Sequence, residues 1–474
     1  MDHLRKPEPN HQPLDLSAQV EQVLHTHVKQ GEHLCIALSG GVDSMVLLDV
    51  LAIFSRQMQF TLSTVHVNHG ISNNATRWSQ FCCERSYDYG VSISVTYLHV
   101  RKARGVSLEA SAREQRYRVF SEVSADYVVL AHHLDDQAET LLLQLLRGAG
   151  IRGLSGMPVI RQQQQRHRAK LLRPLLNVSR HQIERYAQCN NLTWVVDESN
   201  DDTAYDRNFL RHEVLPVLKK RYTNYAKTLT RTSRHLSEAS ALLDELAEID
   251  SERCMVSGQL DLSCLRRLEA PRVKNLLRYT LVRQGIQLPN TGTMENLTQQ
   301  LLLMRDDAQL RVDLVDYEIR CFKGAVYILH KIESAPIQAH ERYLIDSESV
   351  IWNDEIGQEM QYAYGKIEFS WSESQGICRK KIASRLLAIR LRVGGESFKP
   401  ACNRPNRSLK NLLQEAFIPP WHRKLLPLLF CEDRLIWVPG IGIDCDFQVK
   451  SGEMGVLPVW HPMKITKPGK CKDF

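Results

Sequence analysis

The chain has 474 residues, 43% hydrophobic and 24% charged. This excludes disorder along its whole length and leaves room for about three domains at roughly 150 residues each. Lys and Arg outnumber the acids 61 to 54, for a net charge of +7, so the placement of the excess decides whether a polyanionic partner is implied.

Through residue 217, short β-rich runs alternate with helical periodicity. Strands are predicted at His33–Leu38, Leu62–Val67, Ile93–Leu98 and Tyr127–Ala131, and helices at Ser44–Phe54, Ala75–Tyr89, Leu108–Val123 and Asp136–Leu146. That alternation predicts βαβ units in an α/β domain built on a doubly wound parallel sheet, spanning 1–217. Gln162–Arg168 is a polar loop excursion. A mainly helical middle domain, 218–378, follows, with helices at Thr228–Glu248, Ala270–Gln284 and Met294–Met304 and strand-like alternation over Val312–Leu329. A polar stretch near Ser374–Lys381 leads into a small α+β domain, 379–474. No apolar run reaches the ~18 residues of a bilayer span, and Met1–Pro7 lack a signal segment, so a cytoplasmic protein without membrane attachment is expected. The 12 cysteines then read as free thiols, and no C-x-x-C pair supports a zinc or redox site.

The strongest local signal is Ser39-Gly40-Gly41-Val42-Asp43-Ser44, between the first strand and the next helix. Glycines let backbone N–H groups approach an anion, the two serines add hydroxyls, and the helix start adds positive potential. The loop fits neither G-x-x-x-x-G-K-S/T nor G-x-G-x-x-G, which disfavours Walker-type NTPases and dinucleotide binding. An acid, Asp43, inside a phosphate loop requires a bridging cation, which points to Mg²⁺.

The hexapeptide resembles the pyrophosphate-binding loop of the N-type ATP pyrophosphatases, which use ATP to adenylate a carbonyl oxygen. Four further segments narrow the match: His66-Val67-Asn68-His69-Gly70; Glu109 to Tyr117; Ala131-His132-His133-Leu134-Asp135-Asp136-Gln137-Ala138-Glu139-Thr140 with Leu146 to Gly150; and Asp197-Glu198-Ser199-Asn200 leading to Arg207-Asn208 and Arg211-His212. Together they resemble the tRNA(Ile)-lysidine synthetases, closely over about the first 215 residues and in general pattern from Leu386. That family usually has an acid where Asn68 stands.

The resemblance implies the substrates ATP, free L-lysine and a tRNA(Ile) with a CAU anticodon, with Mg²⁺ as cofactor. It implies an ATP site at Ser39, Gly40, Gly41, Val42, Asp43 and Ser44, with His132 lining the nucleotide or cytidine pocket and Asp43 holding Mg²⁺. Arg113 is the candidate guanidinium for the leaving pyrophosphate, its alternative being a surface pair with Glu109. Asp135 and Glu139 are the candidate lysine carboxylates, with Asp135 also readable as the helix N-cap. Arg207 and Asn208 would order the site or contact the cytidine. A tRNA thiolase of the same superfamily and a non-catalytic tRNA-binding protein are the alternatives, the first opposed by the missing C-x-x-C. A homodimer stays open.

Between Arg385 and Arg434 ten Lys/Arg face four acids. Arg392, Lys399, Arg404, Arg407, Lys410, Arg423 and Lys424, interleaved with Phe398 and Trp421, read as a tRNA-binding surface.

Overall fold

The computed structural model describes residues 15–98, 108–162, 169–305, 310–331, 349–351, 359–362, 365–403 and 405–462. It divides into two compact units, 1–246 and 247–474.

In the first unit, α1 (Leu16–His27) leads into β1 (His33–Ala37), α2 (Val42–Met58), β2 (Thr61–Asn68), α3 (Ala75–Asp88), β3 (Ser92–Tyr97), α4 (Leu108–Glu122), β4 (Tyr127–Val129) and α5 (Leu134–Leu146). The short α6 (Ile151–Leu154), β5 (Ile160–Arg161), β6 (Lys170–Leu172) and α7 (Arg180–Cys189) follow. The sheet order is β3-β2-β1-β4-β6-β5, parallel except for the β5–β6 pair. The order reverses between β1 and β4, and a crevice opens there at the carboxyl ends of the strands.

The apolar strand runs exist because both faces are covered. Leu34 and Ile36 pack with α1, α2 and α7, while Cys35 and Val128 pack against Phe120 of α4 on the opposite face. Helix α2 is buried nearly all round, with Leu47, Leu48 and Leu51 fully enclosed. Each such leucine contributes roughly 1.5–3 kcal/mol of burial. Asp49 is the one acid between Met45 and Phe54 of α2, and it accepts hydrogen bonds from Tyr89 and Tyr186, both at 2.7 Å.

Past α7 come α8 (Asp206–Phe209), a π-helical turn Leu210–Val214, α9 (Leu215–Arg221) and the long α10 (Tyr225–Cys254). The division between the units falls within α10. In the second unit, β7 (Met255–Val256), β8 (Gln259–Asp261), α11 (Leu262–Leu265), α12 (Ala270–Arg283) and α13 (Thr291–Leu303) share a core with β9 (Arg311–Asp313), β10 (Tyr317–Phe322) and β11 (Ala325–His330). The C-terminal stretch forms antiparallel sheets over two further cores.

Two expectations are corrected. Cys254 and Cys264 form a disulfide, so the thiols are not all free. The end of α10 and the start of α11 bring their Cα atoms to 5.3 Å, within bridging distance. Helix α5 begins at Leu134, capped by His133 and not by Asp135. The His133 N–H donates to Asp136 (3.0 Å), and the Asp136 N–H donates to the His133 ring in return (3.4 Å).

Candidate active site

The Ser39–Ser44 loop sits at the mouth of β1 on the crevice. Gly40 has φ +86°, and a Cβ there would lie 2.9 Å from the Val195 side chain. Its carbonyl accepts the Val195 N–H (2.9 Å). The serine hydroxyls brace this turn. Ser44 Oγ donates to the Gly41 carbonyl (2.9 Å), accepts the Gly40 N–H (3.1 Å) and lies 3.1 Å from Ser39 Oγ. No side chain caps α2 behind Gly41, so its first-turn N–H groups stay available to an anion.

Asp43, in that first turn, is mostly buried. Its Oδ2 accepts from Arg180 (2.6 Å), while its Oδ1 is buried and takes no hydrogen bond. Burial pushes its carboxyl up, with His133 and Arg180 pulling against that rise. An unpaired buried carboxylate oxygen beside an open anion cradle fits a cation bridging to phosphate.

The loop, the ends of β2 and β4, and α4 surround a cavity of about 550 Å³. Arg113 is on its wall, its guanidinium 5.1 Å from the Tyr117 ring centre. The Glu109 side chain, its alternative partner, lies outside the described residues. His132 lines the cavity with a buried, unpartnered Nδ1, and burial lowers its pKa to about 3. His69 has the same character, lowered to about 4 by burial, with Arg116 and His66 adding to it. These rings stay neutral, able to donate or accept hydrogen bonds.

Asn68 is buried at the cavity edge. Its amide donates to Ser79 (2.9 Å) and its carbonyl accepts the Gly70 N–H (2.8 Å). It shapes the turn after β2 without a charge.

Across the crevice Asp136, Glu139, Arg207 and Arg211 form one network. Glu139 is 1% exposed, and its two oxygens accept from Arg207 (2.7 Å) and Arg211 (2.7 and 2.9 Å). Asp136 accepts from Arg207 (2.9 Å) and Arg211 (3.3 Å). Burial alone would raise Asp136, but His133 and Arg207 hold it down to about 2. Asp136, Arg207, Asn208 and Arg211 line the cavity; Asp135 and Glu139 are set behind it. Asp135 instead accepts the Arg180 main-chain N–H (2.8 Å) and the Tyr225 hydroxyl (3.4 Å). Asn208 donates to the Asp202 carbonyl (2.9 Å), and Glu198 accepts from Ser72 and Asn74, so the 197–212 segment is pinned beside β2.

Sequence reasoning missed Arg180 and gave no role to Asp136 or Arg211. Asp136 and Glu139 share a helix face at i, i+3, the same kind of signal that selected Asp135 and Glu139 at i, i+4.

The basic C-terminal module is less open than its composition implies. Arg392 pairs with Glu396 (3.4 Å), Arg407 with Glu415 (2.8 Å), and Arg423 donates to the Ile418 carbonyl (2.7 Å). Lys410 and Lys424 are exposed and Lys399 is half-buried. Arg404 lies outside the described residues. The aromatics are not a stacking platform: Phe398 is 1% exposed in a core, and Trp421 packs edge-on against Tyr327 and Phe322.

Family models match three stretches: a PP-loop domain over 14–218, a TilS substrate binding domain over 260–327 and a TilS substrate C-terminal domain over 387–460. A tRNA(Ile)-lysidine synthase of Nitrosomonas europaea is 46% identical, covering 96% of this chain and 97% of its own. Those of Azoarcus sp. and Coxiella burnetii are 37% and 34% identical, covering 92% and 91% of this chain and 93% of their own. Among the described residues no helix is long and apolar enough to cross a membrane. The chain belongs to the tRNA(Ile)-lysidine synthase family.

Proposed function

We propose that this enzyme ligates free L-lysine to the wobble cytidine of an isoleucine tRNA with a CAU anticodon, converting ATP to AMP and pyrophosphate and leaving lysidine. One observation carries the reading: a single crevice combines an open phosphate cradle with a buried cluster of carboxylates and guanidiniums. The thiolase and the non-catalytic alternatives are not favoured.

In the first step the cytidine 2-carbonyl oxygen bonds to the α-phosphorus of ATP as the bond to pyrophosphate breaks. The loop N–H groups and Arg113 face the charge that collects on the leaving phosphates. Asp43 Oδ1 would hold Mg²⁺, which when bound offsets that phosphate charge. The neutral rings of His132 and His69 offer hydrogen-bonding edges to a base without adding charge.

In the second step lysine Nε, its ammonium proton lost to solvent, bonds to C2 as the C2–O bond breaks and AMP leaves, and the second proton shed by the nitrogen also passes to solvent. The free amine has a pKa near 10.4 and arrives as an ammonium. The carboxylates at the start of α5, Asp135, Asp136 and Glu139, favour that cation. With a pKa of about 2, Asp136 is suited to hold an ammonium and poorly suited to take its proton. Arg207 and Arg211 fix Asp136 and Glu139 in place. The exposed Lys410 and Lys424 and the paired arginines of the C-terminal module supply phosphate contacts that position the tRNA.

The test is incubation with ATP, Mg²⁺, bulk tRNA containing unmodified substrate, and radiolabelled lysine, followed by mild alkali. Label retained on the tRNA is expected, because an ester at the 3′ end hydrolyses and an N-linked base does not. Loss of all label would sink the lysine assignment.

A further inference from the structure

We infer that Arg180 is a positioning residue of the adenylation site, which presents the free oxygen of Asp43 to the metal that accompanies ATP. This rests on the functional reading above. Arg180 opens α7 and does not line the cavity, so it acts through its neighbours. It is tied at three points. Its guanidinium grips Asp43 Oδ2 (2.6 Å) and Glu184 (2.8 Å), and its main-chain N–H donates to Asp135 Oδ2 (2.8 Å). It therefore links the start of α2, on one wall of the crevice, to the first turn of α5 on the other.

The consequence lies in the second oxygen of Asp43. A carboxylate free to rotate would share its two oxygens between water and metal. With Oδ2 pinned, Oδ1 is left pointing into buried space with no hydrogen bond. An unsatisfied buried acceptor is unfavourable unless a cation meets it. His133 Nε2, 3.8 Å from Oδ1, is too distant to satisfy it. Arg is suited to this post because its planar fork engages Asp43 and Glu184 together, whereas lysine offers a single point of charge.

The experiment measures Mn²⁺ binding by electron paramagnetic resonance in the presence of an ATP analogue that cannot be cleaved between the α and β phosphates. It needs neither tRNA nor lysine, so it is independent of the lysidine assay that tests the functional reading. Wild type, Arg180→Ala, Arg180→Lys, Asp43→Asn and the Arg180→Ala, Asp43→Asn double variant are compared, each with its melting temperature. Arg180→Ala is expected to weaken Mn²⁺ in the ternary complex about tenfold, with Arg180→Lys intermediate. The double variant should be no weaker than Asp43→Asn alone, because Arg180 acts through that carboxylate. Unchanged Mn²⁺ binding in a folded Arg180→Ala or Arg180→Lys protein overturns the proposal. Additive losses in the double variant also overturn it, since they mean that Arg180 contacts the phosphates directly. If Arg180→Ala fails to fold, Arg180→Lys decides by the same criterion.

Discussion

The acids of the crevice network are buried beneath their guanidiniums, whereas those of the C-terminal module mostly meet theirs at the surface. Glu139 is 1% exposed beneath two arginines, while the side chains of Arg407 and Glu415 are 30% and 57% exposed. The sequence marks both regions as charged, but the energetic meaning differs. A buried network fixes geometry and fails when one member is lost. A surface pair is worth little and can exchange its partner for a phosphate.

The largest effect should come from breaking the buried network. Glu139→Gln keeps the shape but removes the charge that Arg207 and Arg211 share. A loss of about 3 kcal/mol is expected, the range for stripping one partner from a buried pair. Lysine-dependent AMP release should disappear with it. Thermal melting and an AMP assay check both, and a melting temperature unchanged from wild type would remove the distinction between the two regions.

Gly40→Ala comes next. The left-handed φ of +86° costs a side chain roughly 1–2 kcal/mol, and the new Cβ presses on Val195. Distortion of the cradle at that cost corresponds to about a 5-fold to 30-fold fall in kcat/KM for ATP. The affinity for tRNA should hold. A parallel loss of tRNA binding would mean that the loop supports more than the nucleotide.

The buried histidines of the crevice set a pH dependence of stability, to which His422 of the C-terminal module, also lowered by burial, adds in the same sense. His132 is held at about 3 by burial, so it stays neutral in the fold where the unfolded chain protonates near 6.5. Stability therefore falls as pH drops from about 6.5 towards 3, by at most about 1.4 kcal/mol per pH unit. Asp136, held at about 2, adds a separate loss only below the ordinary carboxylate range. His132→Gln should flatten melting temperature against pH between 6.5 and 4. Because His69 titrates in the same window, the His69→Gln, His132→Gln pair should flatten it further.

The phosphate loop was legible because its chemistry is local: two glycines and two serines between an apolar strand and a helix. The strands β1 and β4 were legible because parallel-sheet burial writes continuous apolar runs, and β2 through its β-branched Thr64, Val65 and Val67. The two- and three-residue strands β5 and β6 write no such pattern. The choice between Asp135 and Asp136 was not legible, since both lie on the Glu139 face within one turn. Arg207 and Arg211, about 70 residues further on, pair with Asp136, while Asp135 meets the Arg180 main chain and Tyr225. Arg180 was invisible because Ser179-Arg180-His181-Gln182 reads as an ordinary capping box, which it also is. Trp421 misled for the converse reason: an aromatic among arginines has the same sequence signature whether it faces RNA or packs beneath Arg320.

The smallest effect sharpens the comparison most, because it asks whether surface pairs are reserves for RNA. Glu415 holds Arg407 by both carboxylate oxygens in an exposed pair. Because an exposed ion pair contributes little to stability, Glu415→Gln should leave the melting temperature close to wild type. It frees a guanidinium with five donors for phosphate, so tRNA binding should tighten and the salt dependence should steepen by up to about one phosphate contact. Lys410→Ala, which removes an exposed cation, should move both quantities in the opposite direction. Filter binding across a salt series reads the two slopes. If Glu415→Gln weakens binding, the pair is a structural brace that shapes the module, and the contrast with the crevice would be one of degree. If the slopes diverge as expected, the positive charge counted in the sequence is held in check by neighbouring acids until a phosphate competes for it.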